Sequence, residues 1–258
     1  MVNSPDDWVM TELRLLHAAY HWPFYRDIPG FLEPLEKARN LVESNPDLRC
    51  FESLIYTFEA WAKSRESDSG GSLIDSHRGQ QLAERYDDSL YMYMSLLNLA
   101  ATFRTINIQE SIAKFEELYD LVQELEVPYL VCEVLNDSAL AFEAAGEYDP
   151  AISSHNETIK TCGFGDTSFL ILPRIYATLG NSLPALEWAI RGFEYAGHLE
   201  YPVLYLRKAW ALALSNRIDD AQSNLDTAHA LIMKTDMEMW LSDYYHISGV
   251  VEFKRENF

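Results

Sequence analysis

Apolar residues recur at helical steps along nearly the whole chain. Val9, Leu13, Leu16 and Tyr20 alternate steps of four and three, and Ser4-Pro5-Asp6-Asp7 supplies a cap, a first-turn proline and acid, so a helix is predicted over 5–20. His21-Trp22-Pro23 ends it, because the residue before proline is pushed out of the helical region. Phe31, Leu35, Ala38 and Val42 predict a helix over 30–44, in which Pro34 fits only within the first turn. The same periodicity predicts helices over 51–63, 75–86, 90–104, 108–125, 128–145 and 150–161. It continues over 168–179, 184–196, 202–215, 219–234 and 237–255, with Pro173 expected to kink or delay the helix that holds it. Between the third and fourth helices, residues 64–74 are rich in Ser, Gly and Asp and read as a flexible insertion.

A spacing organises these helices. Gly146-Glu147-Tyr148-Asp149-Pro150-Ala151-Ile152 returns 34 residues later as Gly180-Asn181-Ser182-Leu183-Pro184-Ala185-Leu186. Ala139 and Phe142 precede the first copy at the places of a small residue and an aromatic, and Tyr176 repeats the aromatic. The second helices of successive pairs enter at Phe31, Ser76, Ser111, Ala151, Ala185 and Ala221, at intervals of 45, 35, 40, 34 and 36 residues. On these residues the chain resembles the tetratricopeptide repeat (TPR) superfamily, strongly from about Tyr93 to Met233 and weakly before it. Ser95, Leu135, Phe169 and Tyr205 stand where the repeat's first-helix tryptophan belongs, and the closing proline is absent. The irregular, aromatic-rich repeats are more similar to the helical sensor arrays of maltose-activator-type (STAND-class) regulators than to co-chaperone repeats.

The resemblance implies an all-α superhelix, a TPR-like solenoid of about six helical pairs plus a terminal helix, in a single domain over 1–258. Residues 237–255 read as a first helix with no second helix to cover it, which favours a piece of a longer protein over a natural cap. Its apolar stripe of Trp240, Tyr244, Val251 and Phe253 is expected to hold a second copy in a homodimer.

Charge narrows the partners. With 40 acidic against 20 basic residues the net charge is −20, which repels nucleic acid and anionic membranes. Nowhere do 18 apolar residues run together, and the polar start Met1-Val2-Asn3-Ser4 lacks a signal core, so a cytoplasmic protein is expected. Cys50, Cys132 and Cys162 are odd in number and widely spaced, and read as reduced thiols.

Catalytic patterns are sparse. His17 and His21 have the one-turn spacing of zinc ligands, but Ala18 replaces the glutamate of a metalloprotease helix and no third ligand is near. Gly163-Phe164-Gly165 lacks the third glycine of a dinucleotide fingerprint. No catalytic residue, cofactor or metal is assigned, and the chain is not expected to be an enzyme.

What the resemblance implies instead is a groove lined by first helices. Carried onto this sequence, it places Tyr93, Phe103, Arg104, Asn136, Arg174, Trp210 and His246 as ligand-binding residues. Leu96/Ala100, Asn136/Leu140, Leu170/Arg174 and Leu206/Trp210 do not supply the two-carboxylate clamp of co-chaperone repeats. The expected function is therefore non-catalytic binding of a peptide or partner helix in an aromatic trough. The alternative is the ligand-sensing domain of a larger signalling ATPase or transcription regulator.

Overall fold

The computed structural model describes residues 28–163, 166–197, 201–235 and 237–256. The helix expected over 5–20 and the His17/His21 pair lie outside them. The chain divides into two compact units, Met1–Ala145 and Gly146–Phe258, where the repeat spacing led us to expect one domain.

In the first unit, α1 (Ile28–Ser44) is followed by a 3-10 turn (Pro46–Phe51), α2 (Glu52–Arg65), α3 (Ser69–Tyr86), α4 (Ser89–Ile106), α5 (Ile108–Leu125) and α6 (Pro128–Ala144). Side chains set several of the starts: Asp68 accepts the Gly71 N–H at 2.9 Å, Asp88 the Tyr91 N–H at 3.0 Å and Asn107 the Glu110 N–H at 3.4 Å. Each satisfies a backbone donor that has no partner inside its helix. Sequence neighbours pack in pairs, and α2 also touches α4, as α4 touches α6. Phe31, Leu35, Phe51, Ile55 and Phe58 form one buried cluster, and Leu96, Leu99, Phe115, Leu118 and Val134 belong to a second.

Two expectations fail here. The Ser/Gly stretch is not a flexible insertion: Ser69 through Ser72 open α3, and only Glu66–Asp68 are left to turn the chain. Ser72 of the stretch is buried, and with Ser76 and Gly79 further along α3 it forms a packing surface. Ser72 shares a 3.0 Å hydrogen bond with Thr102, Asn98 donates to Ser76 at 2.6 Å, and Ser53 donates to the Gly79 carbonyl at 2.7 Å. Pro34 lies seven residues into α1, beyond the first turn, so the Gly30 carbonyl has no helical donor from that ring.

The second unit holds α7 (Tyr148–Cys162), α8 (Asp166–Thr178), α9 (Ser182–Ala196), α10 (Pro202–Leu214), α11 (Ile218–Thr235), a 3-10 turn (Glu238–Trp240) and α12 (Leu241–Glu256). Here α8, α10 and α12 are the first helices, α10 touching both others. Leu206, Ala209, Leu212 and Ala213 of α10 meet Ala221, Leu225, Ala228 and Ile232 of α11, with Ile247 and Val251 of α12 closing the cluster. The glycines of the repeated motif have the same left-handed backbone, Gly146 at φ +78° and Gly180 at +75°, and Asn216 takes that conformation at φ +58°. These are the reversals after α6, α8 and α10, where a side chain with Cβ is disfavoured.

Pro173 is inside α8, which starts two residues earlier than predicted. Cys50 is a free thiol, but neither Cys132 nor Cys162 is, which corrects the expectation of three reduced thiols. One sequence counts cysteines without showing which side chains a fold engages. Every regular element among the described residues is helical, so the fold class is all-α.

Candidate functional site

The first helices of each unit carry polar ties one repeat apart, set into apolar surroundings. In the first unit, Tyr93 of α4 is 3% exposed and donates its hydroxyl to a Glu133 carboxylate oxygen of α6 at 2.5 Å. Burial pushes the Tyr93 phenol well above its usual range, and the negative charge and hydrogen bond of Glu133 push it further, so it stays protonated as a donor. One turn after Glu133, Asp137 is raised to about 6, chiefly by desolvation and further by the Glu133 charge, against the pull of Arg104 and a hydrogen bond with Asn136. Tyr93, Arg104 and Asn136 are thus brought together around two carboxylates. Phe103 goes elsewhere, its ring edge-on to His77 of α3 at 6.4 Å.

In the second unit the tie is ionic. Arg207 of α10 is 1% exposed; its Nη2 donates to Asp243 of α12 at 2.7 Å and its Nε to the Leu170 carbonyl of α8 at 3.2 Å. One guanidinium therefore joins all three first helices of this unit. Beside it, Trp210 of α10 is half-buried and His246 of α12 is exposed, with ring centroids 5.0 Å apart and planes at 79°. That edge-to-face geometry fixes the indole while leaving part of both rings open.

Arg174, also assigned to the groove, is half-buried on α8, and its charge acts on His155 of α7. His155 is fully buried, with Nδ1 3.0 Å from the Ser168 hydroxyl and no partner for Nε2. Desolvation, helped by Arg174, lowers it to about 4, so it is neutral at pH 7.

Asp137 and Arg207 were missed by sequence reasoning. Arg207 had a signal: it is a lone charge on the apolar face of α10, 36 residues before an acid, the interval that separates Ala185 from Ala221. Among the described residues no three His, Cys, Asp or Glu side chains gather to hold a metal ion, and no helix is long and apolar enough to cross a membrane.

No sequence-family profile matches the chain, and no curated protein sequence matches it. Solved structures do. Aspartyl phosphate phosphatase F from Bacillus subtilis is similar at 14% identity over 97% of this chain and 71% of that one, with a TM-score of 0.69. The apo quorum sensor NprR from B. thuringiensis is similar at 12% identity over 95% of this chain and 70% of that one, with a TM-score of 0.72. NprR in complex with its cognate peptide NprX gives 13% identity, 97% and 74% coverage and a TM-score of 0.64. At these identities the likeness shows the fold alone, an all-α helical-repeat array.

Proposed function

We propose that the chain is a non-catalytic recognition module that binds a peptide or a partner's helix on the open faces of its first helices. The observation that carries the reading is the Trp210/His246 pair. A half-buried indole held edge-on by an exposed imidazole, beside a buried ion pair that fixes the two helices, is a pre-organised aromatic anchor. In the first unit, Asn136, Arg104 and the Tyr93-bound Glu133 supply polar contacts of the kind that set orientation. A cytoplasmic setting and self-association through α12 belong to the same proposal.

A sensing role is the second reading, favoured by the fold shared with NprR, a quorum sensor solved with its cognate peptide. Both readings place a peptide on the first helices. They differ in whether binding drives a further domain.

Selection of a phage-displayed random peptide library on the chain, followed by titration of enriched peptides, tests the shared part. His246→Ala is the informative variant, because an exposed ring is removed with little expected cost to folding. Affinity should fall about 30-fold, the size of a hot-spot loss, while the melting temperature stays near that of the native chain. No enrichment, or affinity indifferent to His246→Ala, Trp210→Ala and Asn136→Ala alike, would defeat the proposal.

A further inference from the structure

A cavity of about 100 Å³ lies between α1, α2 and α3, lined by none of the residues assigned to the recognition faces. Its apolar floor is Val42 and Ile55, both 2% exposed, and one wall is the Tyr56 ring. Two guanidiniums stack on that ring, Arg39 at 5.0 Å and Arg78 at 4.4 Å from its centroid. They are not equivalent. Arg39 is neutralised, with Nε 3.0 Å and Nη2 2.5 Å from Glu59 and Nη1 4.0 Å from Glu43. Arg78 is exposed and makes no ion pair with any described residue. Glu52, partly buried at the start of α2, makes none either, although both line the same cavity.

A small cavity with an apolar floor, an unpaired guanidinium and an unpaired carboxylate is complementary to a small molecule carrying both charges. We propose that this cavity binds a small zwitterion, a free α-amino acid with a short side chain. The ligand's carboxylate sets against the planar donor edge of Arg78, which Tyr56 holds in orientation, and its ammonium sets against Glu52 with Glu43 nearby. The side chain rests on Val42 and Ile55. Charge decides against simpler ligands: the lining sets Arg78 against Glu52, so a ligand with a single charge leaves the opposite group unanswered, whereas a zwitterion meets both. Volume sets the upper size, since pockets for drug-sized ligands measure about 300 Å³ or more.

Thermal unfolding and calorimetric titration with glycine, alanine and valine test this, with acetate and methylammonium at matched ionic strength as single-charge probes. A saturable rise in the unfolding midpoint is expected with at least one of the amino acids and with neither control. Arg78→Gln and Glu52→Gln should each weaken that binding about ten-fold or more. Arg217→Gln, an exposed change in the second unit, should leave it unchanged. Because the variants alter exposed or partly buried charges, circular dichroism should show them folded. Acetate acting as well as alanine would replace the proposal by an anion site; binding that survives both variants, or no saturable shift with any amino acid, would overturn it.

Discussion

Tyr93 donates its hydroxyl to Glu133 across 40 residues of sequence, tying one first helix, α4, to the next, α6. Burial, with the Glu133 charge, keeps the phenol protonated as the donor. Tyr93→Phe should keep the ring's packing and remove the donor. The expected cost is about 1.5 to 3 kcal/mol, the range for a hydrogen bond to a charged group, read by chemical denaturation as a lower midpoint at unchanged slope. A variant as stable as the native chain would mean that Glu133 is equally well held by water.

Acid should act on the two units in opposite directions. His155 binds its proton less tightly when folded, at about 4 against an ordinary 6.5. The stability tied to its neutral form is therefore complete above pH 6.5 and is lost as pH falls toward 4, reaching about 3 kcal/mol by the linkage relation. Asp137 has the reverse sign, with a folded value of about 6 against an ordinary 3.8, so its unit gains stability as pH falls through 6 toward 3.8. Hydrogen exchange between pH 7 and pH 5, corrected for intrinsic rates, should show protection falling over α7 and α8 and holding or rising over α4 and α6. His155→Phe should remove the loss in the second unit. Uniform change across both units would contradict the assignment of these two groups.

Glycine positions separate packing from permissiveness. A Cβ on Gly79 would lie 2.9 Å from Thr57 Oγ1, 3.0 Å from Ser95 Oγ and 3.1 Å from the Ser53 carbonyl, so Gly79→Ala must push α3 off the buried hydroxyls of α2 and α4. A cost of about 1 to 3 kcal/mol is expected. Gly249, in the middle of α12, has nothing within 4 Å of a Cβ, and Gly249→Ala should stabilise by about 0.5 to 1 kcal/mol through helix propensity. Equal effects of the two changes in thermal melts would show that the close approach at Gly79 relaxes freely.

The helices were legible because apolar periodicity and punctuation agree: Pro128 and Pro202 open α6 and α10, and Gly146 and Gly180 reverse the chain after α6 and α8. The error at 64–74 has a physical source. Ser and Gly are the composition of a linker, and also of a helix face that must approach two neighbours closely, and only the partners tell which. Here Thr102 is that partner for Ser72, 30 residues away in sequence. The geometry of the candidate site was half legible for a related reason. Repeat register brought Trp210 and His246 together, but a register cannot show depth: Tyr93, Leu96 and Ala100 share the inward positions and are core. Arg207 went unread because a charge in an apolar helix is interpretable only once its acid partner and the Leu170 carbonyl are in place.

The terminal helix gives the last prediction, in altered form. Of the stripe expected to be open, Val251 is fully buried, Trp240 is half-buried and Tyr244 is covered in part by His229 at 4.8 Å, because α12 packs on both α10 and α11. Phe253 of that stripe and Tyr245 are each 65% exposed and flank Gly249, where a Cβ would have nothing within 4 Å. Two large rings around a gap, two turns of helix apart, match the approach of another helix, and Met239 at 62% exposure extends the apolar area. A second copy placing the same face against it would make a two-fold contact in which each ring fills the other's gap. Light scattering should then show a concentration-dependent dimer, and Tyr245→Glu with Phe253→Glu should return it to monomer without lowering the melting temperature, since both positions are exposed. A monomer at high micromolar concentration would rule out this contact; a dimer indifferent to the double change would place the interface elsewhere.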